Sequence, residues 1–208
     1  MKRILCFGDS NTWGYNPVSK DRYPKEIRWT GVFSSTLGAD YEVIEEGLNG
    51  RTTVWEDPIE GYKNGYTYLI PCLESHRPLD LVIIMLGLND LKKRFSVSAF
   101  DIAQSAGVLV NVVIRSSAGR NGAAPLVLLV SPPPVATLTG FAEMFEGAES
   151  KSQKLGAYYE LIAAELGCPF LNAGEVIRSS DIDGIHFDLE EHAKLGNAVA
   201  AKVKQLLG

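Results

Sequence analysis

The chain has 208 residues, 46% of them apolar and 22% charged, with a net charge of −5. These values suit an ordinary globular protein with one full core, so a single domain over 1–208 is expected. No Lys/Arg cluster is present, which argues against nucleic acid as a partner, and no apolar run approaches the roughly 18 residues of a membrane span.

Residues 3–7 read as a first strand that ends in Gly8-Asp9-Ser10-Asn11. Residues 11–28, with Asn16-Pro17 and Tyr23-Pro24, read as loop. Helical spacing follows at Trp29, Val32, Phe33 and Leu37, with Gly38 as its C-cap. Tyr41–Ile44 is a short strand, and the polar stretch from Glu45 to Gly61 reads as loop. A helix is expected over 64–75. Leu79–Leu86 (LDLVIIML) is almost continuously apolar, as a central strand covered on both faces would be. A helix over 98–116 and a strand over 126–130 come next, and Ser131-Pro132-Pro133-Pro134 can continue neither element. A helix is expected over 143–166, stopped by Gly167, then a brief strand over 169–171 and a last helix over 188–207. Cys6, Cys72 and Cys168 are odd in number and far apart, and read as reduced core thiols. Only four apolar residues follow Met1-Lys2-Arg3, too few for a signal-peptide core, so a cytoplasmic location is expected.

Strands alternating with helices imply parallel strands joined by right-handed crossovers. The expected architecture is α/β: a three-layer α/β/α sandwich with a five-stranded parallel sheet in flavodoxin-like order. In such a sheet every strand end opens on one rim, where ligands bind. Ser10 follows the first strand, Asn49 and Gly50 the second, Asn89 the third, and Asp183 and His186 the last.

A serine hydroxyl needs a positioned base to act as a nucleophile. Of the three histidines, His76 reads as part of a charged turn at the opposite rim, and His192 lies in a helix among charged residues. His186 is on the correct rim, and Asp183, three residues earlier, can reach one imidazole nitrogen while the other faces Ser10. The backbone N–H groups of Ser10 and Gly50 and the side-chain amide of Asn89 are candidate donors for an oxyanion. Each residue alone has a bland reading as a turn, a cap or a surface histidine; their succession at strand ends is what points to acyl transfer. Asp9 and Asp90 read as structural support. Asn11, Trp13, Tyr15 and Ile185 are candidates for the substrate pocket, with Trp55, Phe141, Met144 and Phe145 as other apolar residues near the rim.

Two rival readings are a metal-dependent phosphoesterase using Asp9, Asp90, Asp183 and His186, and a non-catalytic flavodoxin-like binding module. The first would want more carboxylate and histidine ligands than this rim offers. The second gives no reason for Ser, Gly, Asn, Asp and His at successive strand ends, and no Gly-rich phosphate loop of either common type is present.

Gly8-Asp9-Ser10, Gly50, Gly87-Leu88-Asn89-Asp90 and Asp183-Gly184-Ile185-His186 resemble the sequence blocks of the SGNH hydrolases, or GDSL-type esterases, with Asn11 where the family name has Leu. Further stretches, among them Gly8–Gly14 (GDSNTWG), Glu42–Thr53 (EVIEEGLNGRTT) and Asp183–Phe187 (DGIHF), are similar to the arylesterase/acyltransferase branch. The resemblance implies hydrolysis of short-chain, mainly acetyl, esters and acyl transfer to alcohols, with aryl esters or acetylated carbohydrates as substrates and no metal or organic cofactor. A longer-chain lipase or thioesterase of the same superfamily is the alternative. It also implies a homo-oligomer, an octamer being one form, whose subunits narrow the entrance to the site.

Overall fold

The computed structural model describes residues 1–208. Its centre is a five-stranded sheet in the order β2-β1-β3-β4-β5, with every neighbouring pair parallel. The strands are β1 (Lys2–Gly8), β2 (Tyr41–Gly47), β3 (Leu81–Met85), β4 (Leu126–Ser131) and β5 (Phe170–Asn172). The helices are α1 (Ser10–Trp13), α2 (Trp29–Leu37), α3 (Gly65–His76), α4 (Ala99–Ile114), α5 (Ala148–Ser152), α6 (Leu155–Leu166) and α7 (Leu189–Leu207). The flavodoxin-like order expected from the fold type is the order found.

Period-two alternation in the strands sends their side chains to two separate cores. Leu5, Phe7, Val82, Ile84, Val127 and Leu129 face the layer that holds α3, α4 and α6. Ile4, Cys6, Leu81, Ile83, Leu128 and Val130 face α2 and α7. Every residue of β3 is buried, which explains the unbroken apolar run in the sequence. No helix is long and apolar enough to cross a membrane. The three cysteines are unpaired; Cys6 and Cys72 are buried and Cys168 is half-buried.

The structure corrects four local readings. Residues 10–13 form one helical turn instead of loop, because the Asp9 carboxylate caps the Asn11 N–H (2.9 Å) and Gly14 closes the turn in the left-handed region. β2 runs three residues past Ile44, through polar Glu45 and Glu46. Glu45 pairs with Arg28 (2.6 Å) and Arg22 (3.2 Å), and Glu46 with His76 (2.9 Å) and Tyr68 (3.1 Å), so partners distant in sequence satisfy a stretch that looks like loop. The expected helix over 143–166 is broken into α5 and α6, and it starts only after Gly147, whose φ of +81° cannot lie within a helix. His76 is the last residue of α3 instead of part of a turn, and His192, in helix α7 as expected, is wholly buried.

His192 joins α7 to α2: its Nδ1 accepts the backbone N–H of Trp29 (3.2 Å). Burial, aided by the charges of His186 and Arg28, lowers it from 6.5 to about 3. The fold keeps this ring neutral while the unfolded chain takes up a proton near pH 6.5. Its contribution to stability is therefore full above pH 6.5 and is lost as pH falls toward 3. By pH 5 the loss is about 2 kcal/mol. His192→Asn retains an acceptor for the Trp29 N–H and has no proton to gain. Urea denaturation at pH 7 and pH 5 should show the variant losing less stability on acidification than the parent; an equal loss in both would refute this account.

Candidate active site

The ends of the parallel strands open on one rim, and short-range geometry brings Ser10 onto it. Gly8 ends β1, Asp9 caps the single turn of α1, and Ser10 is its first residue. That turn lies against the end of β2, where a Cβ on Gly47 would sit 2.1 Å from the Trp13 backbone nitrogen. Glycine at 47 is what permits the close approach.

Ser10, His186 and Asp183, up to 176 residues apart, meet in one line of hydrogen bonds. The Ser10 Oγ is 2.9 Å from His186 Nε2, and His186 Nδ1 is 2.7 Å from Asp183 Oδ2. The second oxygen, Oδ1, accepts the backbone N–H groups of Ile185 and His186, both at 2.9 Å. Burial alone would raise the Asp183 carboxyl; the bond and charge of His186 and the two backbone donors outweigh it and hold the group below the ordinary value. A hydroxyl bonded to an imidazole whose other nitrogen faces an ionised carboxylate can act as a nucleophile, the imidazole taking its proton.

The hydrogen-bond donors around this line are uncommitted. The backbone N–H groups of Ser10 and Gly50 donate to nothing in the protein. Gly50 sits at φ +80°, a conformation that glycine adopts without strain. The Asn89 amide gives one proton to the Arg51 carbonyl (3.1 Å), which fixes the plane of the amide and leaves the other proton free.

Ser10, Gly50, Asn89 and His186 line one cavity of about 160 Å³. Tyr15, Phe141, Met144, Phe145 and Ile185 supply its apolar wall. The Tyr15 ring lies 4.1 Å from the His186 ring and the Phe141 ring 6.2 Å from it, centroid to centroid. Of the four residues expected to form the substrate pocket, Tyr15 and Ile185 line this cavity and Asn11 and Trp13 do not. Asn11 is wholly buried and its Nδ2 donates to the Ile185 carbonyl (3.3 Å), so it supports the loop from beneath. Trp13 turns away and is covered by the Arg22 guanidinium, 5.3 Å from its ring.

Asp9 and Asp90 are buried beside the line, and desolvation pushes each up to about 6 against its hydrogen bonds. Asp90 accepts the Thr53 N–H (3.1 Å) and the Thr53 hydroxyl. Asp9, Asp90, Asp183 and His186 are thus each engaged by other groups, and they do not gather as metal ligands would. The side chains of ligating type that do meet, Glu46, Cys72 and His76, lie between β2 and α3, outside the cavity.

The sequence profile of the GDSL-like lipase/acylhydrolase family matches residues 6–194. The chain belongs to that family. Among solved structures, this GDSL hydrolase superimposes on the inhibitor-bound M. smegmatis aryl esterase with a TM-score of 0.96, at 47% identity and full coverage of both chains. A carbohydrate acetylesterase from Sinorhizobium meliloti gives a TM-score of 0.96 at 45% identity, and a carbohydrate acetylesterase family member from the same organism gives 0.94 at 40%, both again over the whole of each chain. No curated protein sequence matches it. The GDSL hydrolase is a carboxylic ester hydrolase of the SGNH type.

One residue of the site has no local signal in the sequence. Arg51 is buried; its Nη1 donates to the carbonyls of Gly8 (2.9 Å) and Glu46, and its guanidinium lies 4.2 Å from the Phe7 ring centroid. Lysine lacks the planar fork that bonds and stacks at once. Arg51→Lys should lower stability by about 1–3 kcal/mol, measured by urea denaturation, and lower kcat in any ester assay. A variant as stable and as active as the parent would show that the fork is dispensable.

Proposed function

We propose that this GDSL hydrolase is a serine esterase that cleaves short acyl, chiefly acetyl, esters of aryl alcohols or carbohydrates. The observation that carries the reading is the unbroken hydrogen-bonded line from Asp183 through His186 to Ser10, opening into a small cavity with an apolar wall. The names of its structural relatives, an aryl esterase and a carbohydrate acetylesterase, support the same substrate range.

In this reading Ser10 Oγ attacks the ester carbonyl while His186 Nε2 takes the hydroxyl proton. Asp183 holds the imidazole in the required tautomer and stabilises its charged form without taking the proton itself. The Ser10 and Gly50 N–H groups and the Asn89 amide hold the oxyanion of the tetrahedral intermediate. As the C–O bond to the leaving group breaks, His186 returns the proton to the departing alcohol. Water, deprotonated by the same imidazole, then attacks the acyl-Ser10 ester, releasing the acid and restoring the hydroxyl. An alcohol in place of water gives acyl transfer. The chemistry as written draws on no metal or organic cofactor. A cytoplasmic location and a homo-oligomer, with an octamer as the form to test first, belong to the same proposal. Fully exposed Tyr62 is a surface to examine for subunit contacts.

The cavity volume favours a small acyl group. Initial rates on aryl esters should be highest for acetyl and should collapse by butyryl or hexanoyl; a preference for long chains would move the reading to a lipase or thioesterase. Ser10→Ala should lose about 10⁴-fold or more in kcat with an unchanged circular dichroism spectrum, and retained turnover would remove Ser10 from the mechanism. Asn89→Ala should lose about 10²–10³-fold in kcat with a smaller change in KM; the opposite split would argue against an oxyanion role.

A further inference from the structure

The cavity also has a charged wall that the ester chemistry above leaves unused, made by Glu60 and Lys92. Lys92 lies three residues past Asn89, and its side chain is only 3% exposed. Its ammonium donates to Glu60 Oε1 (2.7 Å) and lies 3.5 Å from Asp57 Oδ2. Arg94 donates to Asp57 Oδ1 (2.9 Å) and to Glu60 Oε1 (3.4 Å). Asp57 Oδ1 also accepts the backbone N–H of Glu60 (3.0 Å), so the loop carrying Glu60 is held through both backbone and side chain.

Every polar contact of Glu60 inside the protein is made through one carboxylate oxygen. Oε2 has none, and it rests 2.7 Å from where a Cβ on Gly50 would be, beside a residue that lines the cavity at the proposed oxyanion site. The Glu60 side chain is 36% exposed, so this second oxygen is open to the cavity and its solvent. Asp57 and Glu60 are balanced by Lys92 and Arg94, and the Lys63 side chain packs beside Glu60, its Cε 3.3 Å from the same Gly50 position. What the wall presents is a fixed acceptor, Glu60 Oε2, beside an ammonium that has three protons and only two partners. That pairing matches an uncharged hydroxyl-bearing group.

We propose that Glu60 and Lys92 form a subsite for the hydroxyl groups of the alcohol half of the ester, and that the substrates this site selects are acetyl esters of uncharged polyhydroxylated alcohols such as sugars. The proposal rests on the esterase reading above. The wall is held rigidly before substrate arrives, so little ordering cost is added on binding. Because Glu60 is partly exposed, a hydroxyl-free ester displaces water from Oε2 without replacing its hydrogen bond and is disfavoured against one that bears the group.

The test compares 6-O-acetylglucose with cyclohexylmethyl acetate, which has a ring of similar shape and no hydroxyls, in the parent and in Glu60→Gln and Glu60→Ala. Gln retains the length of the side chain and an oxygen for Lys92 while replacing the free acceptor with a donor, so it tests the subsite even where Ala disturbs the loop. The ratio of kcat/KM for the sugar ester to that for the cyclohexyl ester should fall about tenfold or more in both variants, carried mainly by KM of the sugar ester. An unchanged ratio, or an equal loss on both esters, would overturn the subsite and leave the esterase reading standing. Absence of turnover in the parent on both esters, or turnover that survives Ser10→Ala, would overturn the esterase reading and the subsite with it.

Discussion

The site depends on one buried guanidinium. Arg51 joins the carbonyl that ends β1 to the carbonyl of Glu46 near the end of β2, and its own carbonyl fixes the amide of Asn89 after β3. Three strand ends are thereby locked to one another within a single residue's reach. The sheet pairs Gly8 with Gly47 and with Met85, and the Arg51 contacts add to that pairing at the rim. The guanidinium suits the position because it bonds in its plane and packs by its faces, here against Phe7 and Tyr68.

Around that lock, one residue type is used in two electrostatic states. Asp183, Asp9 and Asp90 are all buried aspartates. Asp183 is supplied with two backbone donors and an imidazole and stays below its ordinary value. Asp9 and Asp90 have donors as well, but desolvation wins and carries both to about 6. The linkage has the opposite sign to that of His192. A carboxyl raised from 3.8 to about 6 is fully accommodated below pH 3.8, and the fold loses stability as pH climbs from there through 6. The fold bears this cost beside Ser10, where the Asp9 cap fixes the turn on which that residue stands.

Much of the fold and most of the site were legible because their signals are local. Ile4–Phe7 and Leu81–Met85 are apolar without interruption, so they read as strands buried on both faces. Once the strands are parallel, topology alone sends Ser10, Gly50, Asn89, Asp183 and His186 to one rim, and the structure brings all but Asp183 onto the wall of one cavity, with Asp183 behind His186. Tyr15 and Ile185 were legible by adjacency to these residues. Asn11 and Trp13 are as close in sequence, yet a single helical turn points one into the protein and the other away from the cavity.

The sequence by itself determined the alternation of strands and helices, and with it the rim and the polar side chains that stand on it, because apolar periodicity and turn chemistry act over a few residues. Only the tertiary structure decided which distant charges meet. The pairing of Lys92 and Arg94 with Asp57 and Glu60, the partners that let Glu45 and Glu46 continue β2, and the burial of His192 against Trp29 join residues from 17 to 163 positions apart. A charged or polar side chain reads the same in a sequence whether water or another side chain surrounds it, and the difference arises when packing removes the water.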